Sequence, residues 1–98
     1  MLERHYAPRI PLRLVTKAEV PAGAKVGVLI FAGAIAPRGA LHVEQLSASG
    51  DLREAASRLY AALRNLEASG VEEIQAILLP EGGLGTAIND RLRRAAHQ

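Results

Sequence analysis

The sequence predicts an α/β fold: a Rossmann-like three-layer sandwich with a mostly parallel sheet of about four strands. Two observations support this. Residues 26–31 are apolar on both faces, as expected for a strand inside a covered parallel sheet. A long helical pattern separates the third predicted strand from the fourth, and parallel strands need such a crossover. The 98 residues are enough for one domain with a single core.

We expect strands over residues 12–16, 26–31, 41–46 and 74–79. The third alternates apolar and polar residues, which predicts a position near an edge with His42, Glu44 and Arg38 facing water. Asp51 is the predicted N-cap of the long helix, with Glu54 completing a capping box and Gly70 ending the helix. A final amphipathic helix is marked by its apolar positions, Leu84, Ala87, Ile88, Leu92 and Ala95.

Composition excludes several classes of protein. The net charge is only +2 and aromatic residues make up 3%, which disfavours a stacking platform for single-stranded nucleic acid. There is no cysteine, and the histidines His5, His42 and His97 have no second ligand at a spacing that builds a metal site. With no apolar run of signal-peptide or membrane-spanning length, we expect a cytoplasmic protein without metal or membrane contacts.

The loop that opens the last helix is one candidate site. Gly82, Gly83 and Gly85 follow a strand and precede a helix, where backbone N–H groups and the helix dipole favour an anion. The alternative is a tight turn that lets helix and strand approach closely. Three arginines near the end of the same helix, Arg91, Arg93 and Arg94, are interpreted as a solvated face that complements the helix dipole.

The amino-terminal segment is the second candidate site. Residues 1–11 contain two prolines and are predicted to form an arm or interdomain linker, with the domain at 12–98. Within the arm, Arg4, His5 and Tyr6 bring together a cation, a titratable ring and a phenol, which can bind phosphate oxygens or a polar ligand.

Two separated motifs carry a resemblance to a known family. RHYAPR at 4–9, followed by the strand LRLV, and LPEGGLGTAINDRLRRAA at 79–96 are similar to the two ends of the C-terminal domain of two-domain threonylcarbamoyl-AMP synthases. The pattern LREAASRLYAALRNLEASGV is similar to the middle of that domain. The chain differs in opening at Met1-Leu2-Glu3, where family linkers begin with a Ser-Pro-Gly-like stretch.

The resemblance implies a role in threonylcarbamoyladenosine modification of tRNA. In the family a YrdC-like catalytic domain uses ATP, threonine and bicarbonate, and the linker folds over its active site, so Arg4, His5 and Tyr6 are the implied substrate or nucleotide contacts. The chain itself would be no enzyme and would carry no cofactor; it would be an accessory domain that docks on or gates the catalytic domain. The alternatives are a small-nucleotide-binding Rossmann domain, or a structural fragment that dimerises through its sheet edge and arm.

Overall fold

The computed structural model describes residues 8–96, and within them it contains four strands and two helices. In chain order these are β1 (Leu12–Val15), β2 (Val26–Ile30), β3 (His42–Gln45), α1 (Leu52–Ala68), β4 (Glu73–Ile77) and α2 (Leu84–Ala96). The candidate residues Arg4, His5 and Tyr6 lie outside the described residues, as does His97. No helix of residues 8–96 is long and apolar enough to cross a bilayer.

All four strands are parallel and lie in the order β1-β4-β2-β3. The two central strands are the buried ones: every residue of β2 is buried, as are the three middle residues of β4. This confirms the predicted α/β fold with a four-stranded parallel sheet. The predicted fourth strand ends two residues early, at Ile77, because a side chain of α2 takes the backbone groups of Leu79.

The two faces of the sheet are covered differently. Both helices lie on one face, where they form the larger core with Leu29, Ile74 and Ala76. The other face is covered by the loops at 16–25 and 32–41, which pack small residues onto Val26, Val28 and Ile30. The connections from β1 to β2 and from β2 to β3 run in one direction along the sheet, and the connection from β3 to β4, which contains α1, runs in the other. Right-handed crossovers that run in opposite directions lie on opposite faces of a sheet, so α1 and these two loops cover opposite faces. The third layer is therefore made of loops.

The long helix begins and ends as the sequence predicts. Asp51 Oδ1 accepts hydrogen bonds from the N–H groups of Arg53 (2.9 Å) and Glu54 (3.2 Å), and Gly70 follows the helix with φ +89°. The capping box includes one further residue, the buried Ser47. Its hydroxyl donates to Glu54 Oε1 (2.6 Å) and accepts from the Asp51 N–H (2.9 Å). In a simple capping box the glutamate accepts directly from the N–H of the N-cap residue, whereas here the Ser47 hydroxyl lies between the two.

A buried glutamine holds the loop over the second face. Gln75, in the middle of β4, accepts from the N–H of Glu19 (2.9 Å) and donates to its carbonyl (2.8 Å). Its side chain thus pairs with the backbone as a neighbouring strand would. A polar side chain in a buried strand is tolerated because both its amide oxygen and its amide nitrogen are hydrogen-bonded to the loop.

The prediction that His42 and Glu44 face water is wrong for Glu44 and holds in part for His42, whose side chain is 37% exposed. His42 and Glu44 pair in register with Gly27 and Leu29, which places them on the helix face beside α1, and the Glu44 side chain is only 14% exposed. They hydrogen-bond to each other, His42 Nε2 to Glu44 Oε2, at 2.6 Å. The apolar Val43 points to the other face and is exposed. The alternation of apolar and polar residues predicts a strand, but it does not indicate which face of that strand α1 covers. Arg38 is exposed, as expected.

Candidate functional site

The glycine loop lies at the carboxyl edge of the sheet, between β4 and α2. Gly82 and Gly83 adopt φ values of +122° and +54°, and a Cβ on either would meet no atom within 4 Å. Gly85 is different: it is buried in the first turn of α2, and a Cβ there would lie 2.0 Å from the Pro80 carbonyl oxygen. A close approach of helix and chain therefore accounts for Gly85, and backbone conformation accounts for the other two.

A carboxylate of the chain itself lies along the start of α2. Glu81 accepts hydrogen bonds from the Thr86 hydroxyl (2.8 Å), from Asn89 Nδ2 (3.0 Å) and from Arg93 Nη2 (3.0 Å). The Thr86 hydroxyl in turn accepts from the Gly82 N–H (2.7 Å). These side-chain hydrogen bonds, the one from Thr86 first, lower the pKa of Glu81 below its usual value, and the bond to Glu81 raises the pKa of Arg93.

Asn89 fixes the strand end to the helix. It is fully buried, accepts from the Leu79 N–H (2.9 Å) and donates to the Leu79 carbonyl (2.8 Å), while its remaining amide hydrogen bonds Glu81. The backbone of Leu79 is thereby paired just where β4 has ended. Asn89 and Gln75 use the same device, a side-chain amide that replaces a strand neighbour.

This network bears on both interpretations of the loop. The Gly82 N–H and the side chains of Thr86, Asn89 and Arg93 are hydrogen-bonded within the chain, and Glu81 adds a negative charge beside the helix start, which opposes a second anion. The tight-turn interpretation is favoured. Anion binding by Gly82, Gly83 and Gly85 stays a prediction. Arg93 is exposed, as the solvated-face interpretation expects, and it also pairs with Glu81 (3.0 Å) and with Asp90 (2.8 Å).

The arm enters at the opposite, amino edge of the sheet. Pro8 is buried, Ile10 packs against the core, and the Pro11 carbonyl accepts from the Ile74 N–H (2.9 Å). A cleft of about 300 Å³ lies between this segment and the end of α2; its lining residues are Pro8, Arg9, Ile10, Pro11, Leu12, Ala95 and Ala96. The glycine loop and residues 8–11 thus lie at different edges of the sheet, whereas Arg4, His5 and Tyr6 lie outside the described residues.

A second, apolar cleft of about 160 Å³ lies between the helices and was not predicted. It is lined by Ala56, Leu59, Leu84, Ala87, Ile88 and Arg91. The Arg91 guanidinium lies 5.5 Å from the centre of the Tyr60 ring and donates a hydrogen bond to its hydroxyl. Within residues 8–96 no group of three or more metal-ligating side chains comes together.

Comparison with known proteins agrees with the sequence motifs. The family model described as "Threonylcarbamoyl-AMP synthase, C-terminal domain" matches residues 1–97. The threonylcarbamoyl-AMP synthase of Bacillus subtilis (strain 168) is 31% identical over 102 residues, which cover 94% of this chain but 30% of that protein. No solved structure matches the chain significantly. The chain spans less than a third of the relative's length, and it belongs to the family of threonylcarbamoyl-AMP synthase C-terminal domains.

Proposed function

We propose that this chain is a non-catalytic accessory domain that binds a YrdC-like catalytic domain and regulates its synthesis of threonylcarbamoyl-AMP, in the cytoplasm, for tRNA modification. The observation that carries the proposal is the extent of the match: residues 1–97 correspond to a C-terminal domain, and the chain covers 30% of a full-length synthase. ATP, threonine and bicarbonate would bind to the catalytic domain and not to this chain.

The hydrogen bonds among side chains at the carboxyl edge of the sheet favour a binding role over a catalytic one. Parallel α/β domains place ligands at the carboxyl ends of their strands. Here Glu81, Thr86, Asn89 and Arg93 bond one another at that edge, so the groups best placed for chemistry already have partners. Residues 8–11 of the arm lie at the other edge, and Arg4, His5 and Tyr6 precede these residues in the sequence. We propose that these three residues contact the active site of the catalytic domain.

Pyrophosphate release from ATP in the presence of threonine and bicarbonate tests this proposal. The assay uses the chain alone, a separately expressed YrdC-like domain from the same source, and their mixture over a range of chain concentrations. We expect no release by the chain alone and a saturable change in the rate of the catalytic domain. Tyr6→Ala is expected to remove the change, whereas Glu3→Ala, a substitution in the same arm, leaves it intact.

Two results would contradict the proposal. If the chain alone releases pyrophosphate in a threonine-dependent way, it is an enzyme and not an accessory domain. If the rate of the catalytic domain is unchanged at every chain concentration, and no complex of the two forms, the chain does not act on that enzyme.

A further inference from the structure

The outer edge of β3 is an open sheet edge next to exposed apolar side chains. β3 is the last strand of the sheet, and within residues 8–96 no strand lies on its far side. Four large apolar residues are exposed in the described chain: Val43 (37%) lies in β3, Leu41 (53%) directly precedes it, Ile35 (92%) lies earlier in the loop that leads to it, and Leu84 (41%) lies on α2. An open edge with apolar side chains is a template for pairing with another strand.

The backbone groups available at this edge belong to Val43 and Gln45. The Leu46 N–H donates to the Ile30 carbonyl on β2 at 2.9 Å. Because successive residues of a strand direct their N–H and C=O groups to opposite edges, Glu44 also faces β2. The Leu41 N–H, just before the strand, bonds the Val26 carbonyl of β2 at 2.8 Å, so the regular alternation begins within β3. Val43 and Gln45 therefore direct theirs outward, away from the sheet.

We propose that two copies of this chain pair antiparallel through β3, about a two-fold axis at Val43, and form one continuous eight-stranded sheet. In this register the outward N–H and C=O of Val43 bond those of Val43 in the second copy. His42 then lies directly opposite Glu44 of the second copy, and Glu44 opposite its His42, all on the helix face. Directly opposite side chains in such a pair lie about 4.5–5.5 Å apart, within reach of a hydrogen bond or ion pair.

Charge selects this register over its neighbours. Moving the axis to Glu44 would set the two Glu44 carboxylates opposite each other, and like charges directly opposite destabilise a strand pair; moving it to His42 would lose both pairs of His42 with Glu44. An axis between residues is excluded because it would match an outward-facing residue with an inward-facing one. Only the Val43 axis pairs His42 with Glu44 twice and joins the two exposed valines on the loop face.

The other edge strand, β1, has no pair of residues that could meet across two copies as His42 and Glu44 do on β3. β1 has one charged residue, Arg13, which bonds Glu73 of β4 at 2.6 Å and has no acidic residue on β1 to meet in a second copy. The two edges of the sheet are thus unequal, and the second copy is assigned to β3.

Sedimentation velocity of the 98-residue chain over a concentration series tests the proposal, with the highest concentrations included because a four-residue edge makes a small interface. We expect a monomer–dimer equilibrium. Val43→Arg sets two cations opposite each other and is expected to weaken the dimer by about tenfold or more. Leu84→Arg, at an exposed apolar position on α2, is the matched control and leaves the dimer unchanged. Circular dichroism confirms that both variants fold.

A mixing experiment tests the register itself. The acidic variant His42→Glu and the basic double variant His42→Lys/Glu44→Lys each set like charges opposite one another, so each alone is expected to lose the dimer. Mixed at equal concentration, they are complementary at both cross-strand positions and should form a heterodimer that native mass spectrometry detects by its mass. Both variants lack the contact between residues 42 and 44 within the chain, so rescue on mixing cannot come from that contact.

Three outcomes would overturn the proposal. The chain is monomeric at every concentration; the dimer survives Val43→Arg; or the two charge variants give no heterodimer. If the chain is monomeric and a catalytic domain instead protects the amide groups of Val43 and Gln45 from hydrogen exchange, the occupant of the β3 edge is that domain and not a second copy. None of these measurements depends on pyrophosphate release, so this proposal and the accessory role fail independently.

Discussion

Replacing Gly85 with alanine tests whether this glycine serves packing or ligand binding. The added Cβ would lie 2.0 Å from the Pro80 carbonyl oxygen, so α2 or the chain at Pro80 must move by about 1 Å to restore an acceptable contact. That movement is resisted from the other side of the same turn. Asn89 holds Leu79 through bonds of 2.9 and 2.8 Å, and both of its partners are buried backbone groups.

The expected cost follows from these contacts. Overpacking of a tight site costs about 1–3 kcal/mol, and loosening the two Asn89 bonds, each worth about 1 kcal/mol, adds about 2 kcal/mol. Alanine in a helix returns about 1 kcal/mol relative to glycine. We therefore expect Gly85→Ala to lower the free energy of unfolding by about 2–4 kcal/mol, equivalent to a fall in Tm of roughly 10–20 °C for a domain of this size.

Thermal and urea unfolding of wild type and variant provide the measurement. Gly83→Ala is the control, because a Cβ there meets nothing within 4 Å and only its φ of +54° is unfavourable, at about 1–2 kcal/mol. If Gly85→Ala unfolds at the wild-type temperature, the packing argument is refuted. If it does so and also loses binding of ATP or GTP that the wild type shows, the anion-site interpretation of the loop replaces it. Loss of binding together with loss of stability would say nothing about a ligand.

Three further predictions concern the hydrogen-bonded side chains. Asn89→Ala leaves the N–H and the carbonyl of Leu79 without their hydrogen-bond partner, so it should lower the free energy of unfolding by about 2–4 kcal/mol in urea denaturation. Asn65→Ala, on the exposed face of α1, is the control and should change this free energy little. Gln75→Ala releases the backbone of Glu19, so amide exchange in the loop at 16–25 should accelerate while α1 stays protected; equal protection of that loop would refute its role. Hydrogen bonds from Thr86, Asn89 and Arg93 lower the folded-state pKa of Glu81, so its stabilisation is complete above its usual value of 4.5 and is lost as pH falls below it. Glu81→Gln should therefore flatten the acid limb of a plot of Tm against pH, and an unchanged limb would show that this carboxylate is not stabilised in the folded state.

The sequence predicted the elements whose signals are local. Asp51 and Gly70 mark the ends of α1 because caps act within one turn, and the doubly apolar β2 identifies a parallel sheet because both of its faces must be covered. The glycine loop was placed correctly between β4 and α2. Its sequence did not reveal the approach of Gly85 to Pro80, since that distance depends on how α2 packs.

What could not be predicted depends on residues that are distant in sequence. Gln75 hydrogen-bonds Glu19, which lies 56 positions away in the sequence, and no local pattern predicts that a polar residue in a strand will bind a loop. The hydrogen bonds of Glu81 could not be predicted from the sequence, because its partners come together around it only when α2 is folded; they are Thr86, Asn89 and Arg93. The inverted faces of β3 have the same origin, because the sequence alternates there without saying which face α1 will cover.

The strand order separates the two proposed contacts of this domain. The arm joins the sheet at β1, whereas the pairing edge is β3, and β4 and β2 lie between them. A catalytic domain bound through the arm would therefore leave the β3 edge open, and in a pair of chains the two β1 strands, where the arms join, would lie at opposite ends of the continuous sheet. Val43→Arg should then produce a monomer that still changes the rate of the catalytic domain, and Tyr6→Ala should produce a dimer that does not. If one substitution removes both properties, the arm and the β3 edge belong to a single interface, and the separation inferred from the strand order is wrong.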